Sequence, residues 1–207
     1  MSRETVRIAL TYAALHGLNV MAADIRNAYL QAPISVKYWT TLGPEFGSEL
    51  RGRRANIVRA LYGTKLAGSD FRNHLRDCME KMGFSSCLAD PDLWMRKVVS
   101  DSGEQYYEYV LLYVDDCLVI SQHPRKILVK IDYYFPLKPD LVGPPNLYLG
   151  AKLSKIQLPN GVEAWSASTS QDIQEAVKNV ETHLEQASMK LTKKAATPLT
   201  AKYIDQS

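Results

Sequence analysis

Tyr109-Val110-Leu111-Leu112-Tyr113-Val114-Asp115-Asp116-Cys117-Leu118-Val119-Ile120 is an apolar run interrupted at its centre by two adjacent carboxylates. Buried and unpaired, those anions would cost several kcal/mol each, so the fold must expose or compensate them. A tight hairpin does this by making two buried strands and lifting Asp115 and Asp116 to an exposed tip. Two readings of the tip stay open. Asp is a favoured turn residue in its own right. Equally, a carboxylate pair suits a hard cation such as Mg²⁺, which keeps several waters and also takes substrate phosphates.

Upstream, Leu18 to Ile25 reads as a second apolar strand with Asp24 near its end. Joined to the hairpin in one sheet, it brings Asp24 and Asp115 towards the same ions. Two metals about 3.5–4 Å apart stabilise both oxygens of an in-line displacement, and one strand cannot surround both. Thr5 to Leu15 predicts a helix that Gly17 stops. Arg26 to Leu30 predicts a short helical turn. Residues 33–54, punctuated by Pro33, Gly43, Pro44, Gly47 and Gly52, read as loop, and Ile57 to Tyr62 as extended.

A helix follows, N-capped by Ser69 or Asp70, with Phe71, Leu75, Cys78 and Met82 on one face and Gly83 at its end. Leu93 to Val99 predicts a strand before the turn Asp101-Ser102-Gly103, and Lys126 to Phe135 a short helix. Asn160-Gly161 predicts a hairpin joining Leu147–Leu158 to Val162–Ser166. Ser170 to Leu184 is amphipathic, with Ile173, Val177, Val180 and Leu184 on one face.

Apolar residues are 46% and charged residues 23% of the 207, which excludes a disordered chain. The net charge of +3 permits a phosphate partner without demanding one. Arg51, Arg53 and Arg54 form the densest basic cluster, readable as a phosphate contact or as a solvated loop. Cys78, Cys87 and Cys117 show neither CxxC pairing nor zinc spacing, so a reduced intracellular chain is expected. No apolar run reaches membrane-spanning length, and no signal-peptide pattern opens the chain.

Tyr113-Val114-Asp115-Asp116 resembles the YVDD box of reverse transcriptases. Asp24-Ile25-Arg26-Asn27-Ala28-Tyr29-Leu30 resembles their first catalytic motif, an aspartate followed five residues later by an aromatic. Ala60-Leu61-Tyr62-Gly63-Thr64-Lys65-Leu66-Ala67 is similar to the copia-type motif SLYGLKQA. Ala89-Asp90-Pro91-Asp92-Leu93-Trp94 resembles the segment after that motif's helix, and Tyr148-Leu149-Gly150-Ala151 the primer-grip hairpin. In this order the motifs cover roughly Leu18 to Leu184. The family resembled is the reverse transcriptase of copia-type LTR retrotransposon Pol polyproteins. The chain departs from it at Thr64-Lys65-Leu66-Ala67-Gly68-Ser69, where the family reads LKQAPR.

The resemblance implies an α+β palm, an antiparallel sheet with helices packed on one face, with partial fingers over residues 1–168. Residues 169–190 would begin a thumb helix, and 191–207, including Thr197-Pro198-Leu199, a connection towards ribonuclease H. The fingers strands that precede the first helix in the family, with their triphosphate-gripping Lys and Arg, would lie outside this chain.

The implied ligands of two Mg²⁺ ions, with Mn²⁺ as substitute, are Asp24, Asp115, Asp116 and the carbonyl of Ile25. Tyr29 would exclude a 2′-hydroxyl, or else be an ordinary core aromatic. Tyr62 and Gly63 would pack on the incoming dNTP, and Lys65 would contact phosphate unless it is merely solvated. Tyr148, Leu149 and Gly150 would form the primer grip. Partners would be an RNA or DNA template with primer, dNTPs, and the integrase and ribonuclease H of one polyprotein. The setting would be cytoplasmic virus-like particles, or the nucleus, with no membrane. The rival expectation is a truncated retroelement remnant that folds or binds nucleic acid without polymerising.

Overall fold

The Ser2 hydroxyl accepts the Thr5 backbone N–H at 3.0 Å and starts helix α1 (Arg3–Leu15). The structure is a computed structural model and describes residues 1–189. After α1 come β1 (Asn19–Asp24), α2 (Ala28–Gln31), β2 (Pro33–Thr41), β3 (Arg54–Arg59) and α3 (Ala67–Lys81). Then follow β4 (Ser85–Ser86), β5 (Leu93–Val99), β6 (Gln105–Tyr113), β7 (Asp116–Ser121) and α4 (Pro124–Tyr134). One short strand and two longer ones, β8 (Leu147–Tyr148), β9 (Ala151–Gln157) and β10 (Glu163–Ser168), precede α5 (Ser170–Gln186).

The class is α+β, built on a five-stranded antiparallel sheet in the order β1-β7-β6-β5-β4. The central run divides into β6 and β7, closed by Tyr113 opposite Asp116, so that Val114 and Asp115 form a two-residue turn. Side chains alternate between two cores. Val110, Leu112, Cys117 and Val119 pack with Phe71, Leu75 and Met79 of α3 and Ile127, Leu128 and Ile131 of α4. Leu111, Leu118 and Ile120 face the other way, onto Ala9, Leu10 and Ala13 of α1 and onto Tyr148 and Leu153.

Helices therefore lie on both faces, not one. The reason is in the run itself, which is apolar at consecutive positions and needs cover on each side. Val110, Leu111, Leu118, Val119 and Ile120 are fully buried, and each such side chain contributes roughly 1.5–3 kcal/mol.

Three local expectations are corrected. The segment expected as loop over 33–54 contains β2, paired with β3 as a separate two-stranded ribbon, and a 3₁₀ turn at Pro44–Phe46. Its side chains are mostly exposed, so no burial alternation marked it; Pro33 fits as a first strand residue. Helix α3 begins at Ala67, and neither Ser69 nor Asp70 caps it. Asp70 is buried and accepts the Ser35 N–H at 3.2 Å, tying α3 to β2.

The run expected as one strand from Leu147 is broken at Leu149-Gly150. Both residues have positive φ, 49° and 73°, the signature of a type I′ hairpin turn. The expected turn at Asn160-Gly161 forms as well, with Leu158 N–H donating to the Val162 carbonyl at 2.8 Å.

The chain divides into two units, one to Ala167 and one from Ser168. The second carries α5, on which Ile173, Val177 and Val180 are exposed. The expected tail 191–207, with Thr197-Pro198-Leu199, lies outside the described residues.

Candidate active site

Strand β1 pairs with β7 so that Asp24 stands directly opposite Asp116. Residues paired in this way project from one face of a sheet with Cβ atoms about 4.5–5.5 Å apart. Asp115 sits next to them in the turn, and its carbonyl accepts the Ile25 N–H at 2.8 Å, fastening the hairpin tip to the end of β1. All three aspartates are half-buried. Two of them are ladder residues of β1 and β7 and the third lies in the β6–β7 turn.

The tip is strained. Val114 has φ 54°, a left-handed conformation that a β-branched residue rarely takes. Strain of this kind survives only where surrounding structure enforces it, and it concentrates at functional sites. Here β6 and β7 pair up to Tyr113 and Asp116, leaving two residues to reverse the chain.

One cation already stands at the carboxylates. Lys138 Nζ lies 2.6 Å from Asp24 Oδ1, while that oxygen, itself buried, accepts no well-aligned hydrogen bond. The ammonium is held above the ordinary lysine range, first by its contact with Asp24, against desolvation, and then by the charges of Asp24, Asp115 and Asp116. Asp116 is pushed above the usual carboxylate range by burial first, then by Asp115 and Asp24, with Lys138 pulling it back. Behind it, complete burial and the Asp116 charge push the Cys117 thiol up to about 12, which leaves it inert.

Lys138 belongs to a segment that covers the edge of β1 and turns through a short 3₁₀ helix at Pro139–Leu141. Its N–H donates to the Asp24 carbonyl at 2.8 Å, and Gly143 and Ala22 exchange backbone hydrogen bonds at 2.8 and 3.0 Å. Between this segment and β8 lies a cavity of about 440 Å³, lined among others by Asp24, Asp116, Asn146, Leu147 and Tyr148.

A second cavity of about 510 Å³ lies by the other side of the hairpin tip, lined by Tyr29, Phe71, Arg72, Arg76, Tyr113 and Val114 among others. Tyr29 and Tyr62 meet there with ring centroids 4.6 Å apart, and Phe71 supports Tyr29 edge-on.

The expected site residues thus fall into groups. Asp24, Asp115 and Asp116 gather at the strand ends, with Ile25 bonded to Asp115. Tyr29 and Tyr62 form an aromatic pair, with Gly63 in the adjoining turn at φ 87°. Lys65 is exposed before α3 and lines neither cavity. Tyr148 is buried and donates its hydroxyl to the Leu111 carbonyl at 3.3 Å, so it roots the hairpin while Leu149 and Gly150 form the tip. In the ribbon, Arg54 stacks over the exposed Trp39 at 4.2 Å, which removes it from a purely solvated cluster.

Among the described residues, no group of three or more His, Cys, Asp or Glu side chains is placed to hold a metal ion. Mg²⁺ does not require one: it binds through one or two carboxylates, retained waters and substrate phosphates. The oxygen-only donors and the ammonium already held 2.6 Å from Asp24 Oδ1 fit a cation of that kind.

Lys138 is the residue that sequence reasoning missed. Its sequence signal is weak, a lysine between Pro136 and Pro139 in a stretch that forms no long element. No described helix is long and apolar enough to cross a membrane. No protein-family model matches this chain, and no curated protein matches it.

Proposed function

We propose that this chain is the palm of a copia-type reverse transcriptase, an RNA-directed DNA polymerase that adds deoxynucleotides to a primer 3′-end. The observation that carries the reading is the in-register opposition of Asp24 and Asp116 with Asp115 in the turn beside them. Bound Mg²⁺ or Mn²⁺ would supply stabilisation of the attacking 3′-oxygen and the leaving pyrophosphate.

Asp24 and the Ile25 carbonyl at the end of β1 and Asp115 in the β6–β7 turn provide oxygen ligands, with Asp116 of β7 the third carboxylate. Tyr29, backed by Phe71 and Tyr62, forms a rigid wall against a 2′-hydroxyl. Tyr62 and Gly63 offer a flat, open surface to the base pair, and Lys65 a mobile phosphate contact. Leu149 and Gly150, carried by Tyr148, hold the primer end. Template and primer bind through dispersed phosphate contacts while base pairing supplies sequence. The partners are the template with primer, dNTPs, and the integrase and ribonuclease H of the same polyprotein.

The test is primer extension on poly(rA)–oligo(dT) with Mg²⁺, using the 207-residue chain and the chain extended by the sequence flanking it at its own locus. Asp115→Asn should reduce extension by about 10²-fold or more, because a ligand charge is lost where transition-state charge develops. Template affinity should change little and weaken with salt. Extension that survives Asp115→Asn refutes the assignment. An extended chain that binds template and never extends primer is the inactive remnant.

A further inference from the structure

Lys138 is attached to Asp24 twice. Its backbone N–H donates to the Asp24 carbonyl at 2.8 Å, and its ammonium lies 2.6 Å from the same residue's Oδ1. The first contact belongs to the edge segment that pairs with β1, where Leu137 bridges Ile25 and Gly143 bridges Ala22. The second depends only on a flexible four-carbon stem that is 43% exposed. The side chain can therefore leave Asp24 while its backbone stays in place.

An ammonium at that distance takes the position from which a divalent ion would reach the same oxygen. Both cations cannot sit there. Without a cation, the cluster sets Asp24 against Asp116 with Asp115 beside them, like charges at close range. With the ammonium 2.6 Å from Asp24 Oδ1, one of those charges is balanced.

We propose that Lys138 is an internal counter-ion of the carboxylate cluster, and that a divalent cation must displace its ammonium from Asp24 in order to bind. This rests on reading the cluster as a metal site. Lys138 is a positioning residue here: it holds Asp24 until the metal arrives. The backbone contact keeps the displaced side chain tethered nearby, so the exchange is reversible. Full metal loading then trades one monovalent charge for divalent ones, which makes apparent metal affinity a property of Lys138 as well as of its ligands.

The test titrates Mn²⁺ alone into the purified chain and follows free Mn²⁺ by its paramagnetic resonance signal. Compared are the natural chain, Lys138→Met, Lys138→Arg and Asp24→Asn, each checked for folding by thermal melting. Lys138→Met keeps the backbone contacts and should tighten Mn²⁺ binding by about ten-fold or more, since a competing charge is gone. Lys138→Arg retains the charge and should bind like the natural chain. Adding Asp24→Asn to Lys138→Met should abolish the gain.

Equal or weaker Mn²⁺ binding by a folded Lys138→Met chain overturns the counter-ion role and leaves the metal site standing. Absence of Mn²⁺ binding in every variant up to millimolar concentration overturns the metal site itself, and this inference with it.

Discussion

Asp24 and Asp116 face each other across the β1–β7 ladder with no residue between them. Like charges directly opposite in a sheet destabilise it. Burial adds to the penalty, and the proton affinity of Asp116 rises accordingly.

Replacing Asp116 by Asn should therefore stabilise the chain in the absence of divalent ions, by up to about 1 kcal/mol at neutral pH. The sign with pH follows from the direction of the shift. An acid whose folded pKa is raised keeps its proton longer in the native state, so the native state loses stability as pH rises through that range. The variant's advantage should be present at pH 7 and vanish as pH falls below the carboxylate range. Urea denaturation of both chains between pH 4 and 7, with chelator present, measures it. An advantage that grows towards acid pH contradicts the opposed-charge account.

Val114 at φ 54° stores strain in the turn. A left-handed backbone costs a non-glycine residue about 1–2 kcal/mol, and Asn tolerates it better because its short polar side chain bonds locally. Val114 is 41% exposed, so little packing is lost on replacement. Val114→Asn should raise stability by about 1 kcal/mol, whereas Val114→Gly should gain less, since glycine adds roughly 0.5–1 kcal/mol of unfolded-state entropy. Thermal melts of both variants decide it. If the tip belongs to an active site, the stabilised Val114→Asn chain should also be the less active one in primer extension.

At the opposite end of the sheet, Arg96 donates to Glu108 Oε2 at 2.6 and 3.0 Å and to the Met82 carbonyl at 2.6 Å, and lies 4.4 Å over the Phe84 ring. Glu108 also accepts the Ser121 hydroxyl at 2.6 Å. This network joins β5, β6 and β7 to the end of α3. Arg96→Met leaves a buried carboxylate uncompensated and should cost about 3 kcal/mol, and a further Glu108→Gln change should recover much of that loss. Equilibrium urea unfolding of the three chains measures both steps. A single-variant cost below about 1 kcal/mol would place this pair with ordinary surface ion pairs.

The hairpin was legible because two carboxylates inside an apolar run leave the chain few options. Desolvation disfavours burying them deeply, and the turn of Val114 and Asp115 brings Asp115 to the tip while Asp116, the first residue of β7, stays half-buried beside it. Helices α1 and α4 were legible from apolar spacing, while α3 was displaced at its start because Asp70 serves Ser35 rather than its own helix end. The β2–β3 ribbon was not legible, since a ribbon exposed on both sides carries no alternation of apolar and polar residues. The turn at Leu149 was hidden as well, because leucine is not a residue that marks positive φ.

By itself the sequence determined the antiparallel hairpin, the two apolar faces of β6 and β7, and the identity of the three aspartates as the chemistry to be explained. These follow from local rules of solvation, periodicity and turn geometry. Only the tertiary structure decided that Asp24 opposes Asp116 and not Asp115 in the ladder, because register is set by pairing between segments some ninety residues apart. It alone placed Lys138 on Asp24: edge pairing of residues 136–143 with β1 has no local signature, since its partners meet only once the sheet has formed.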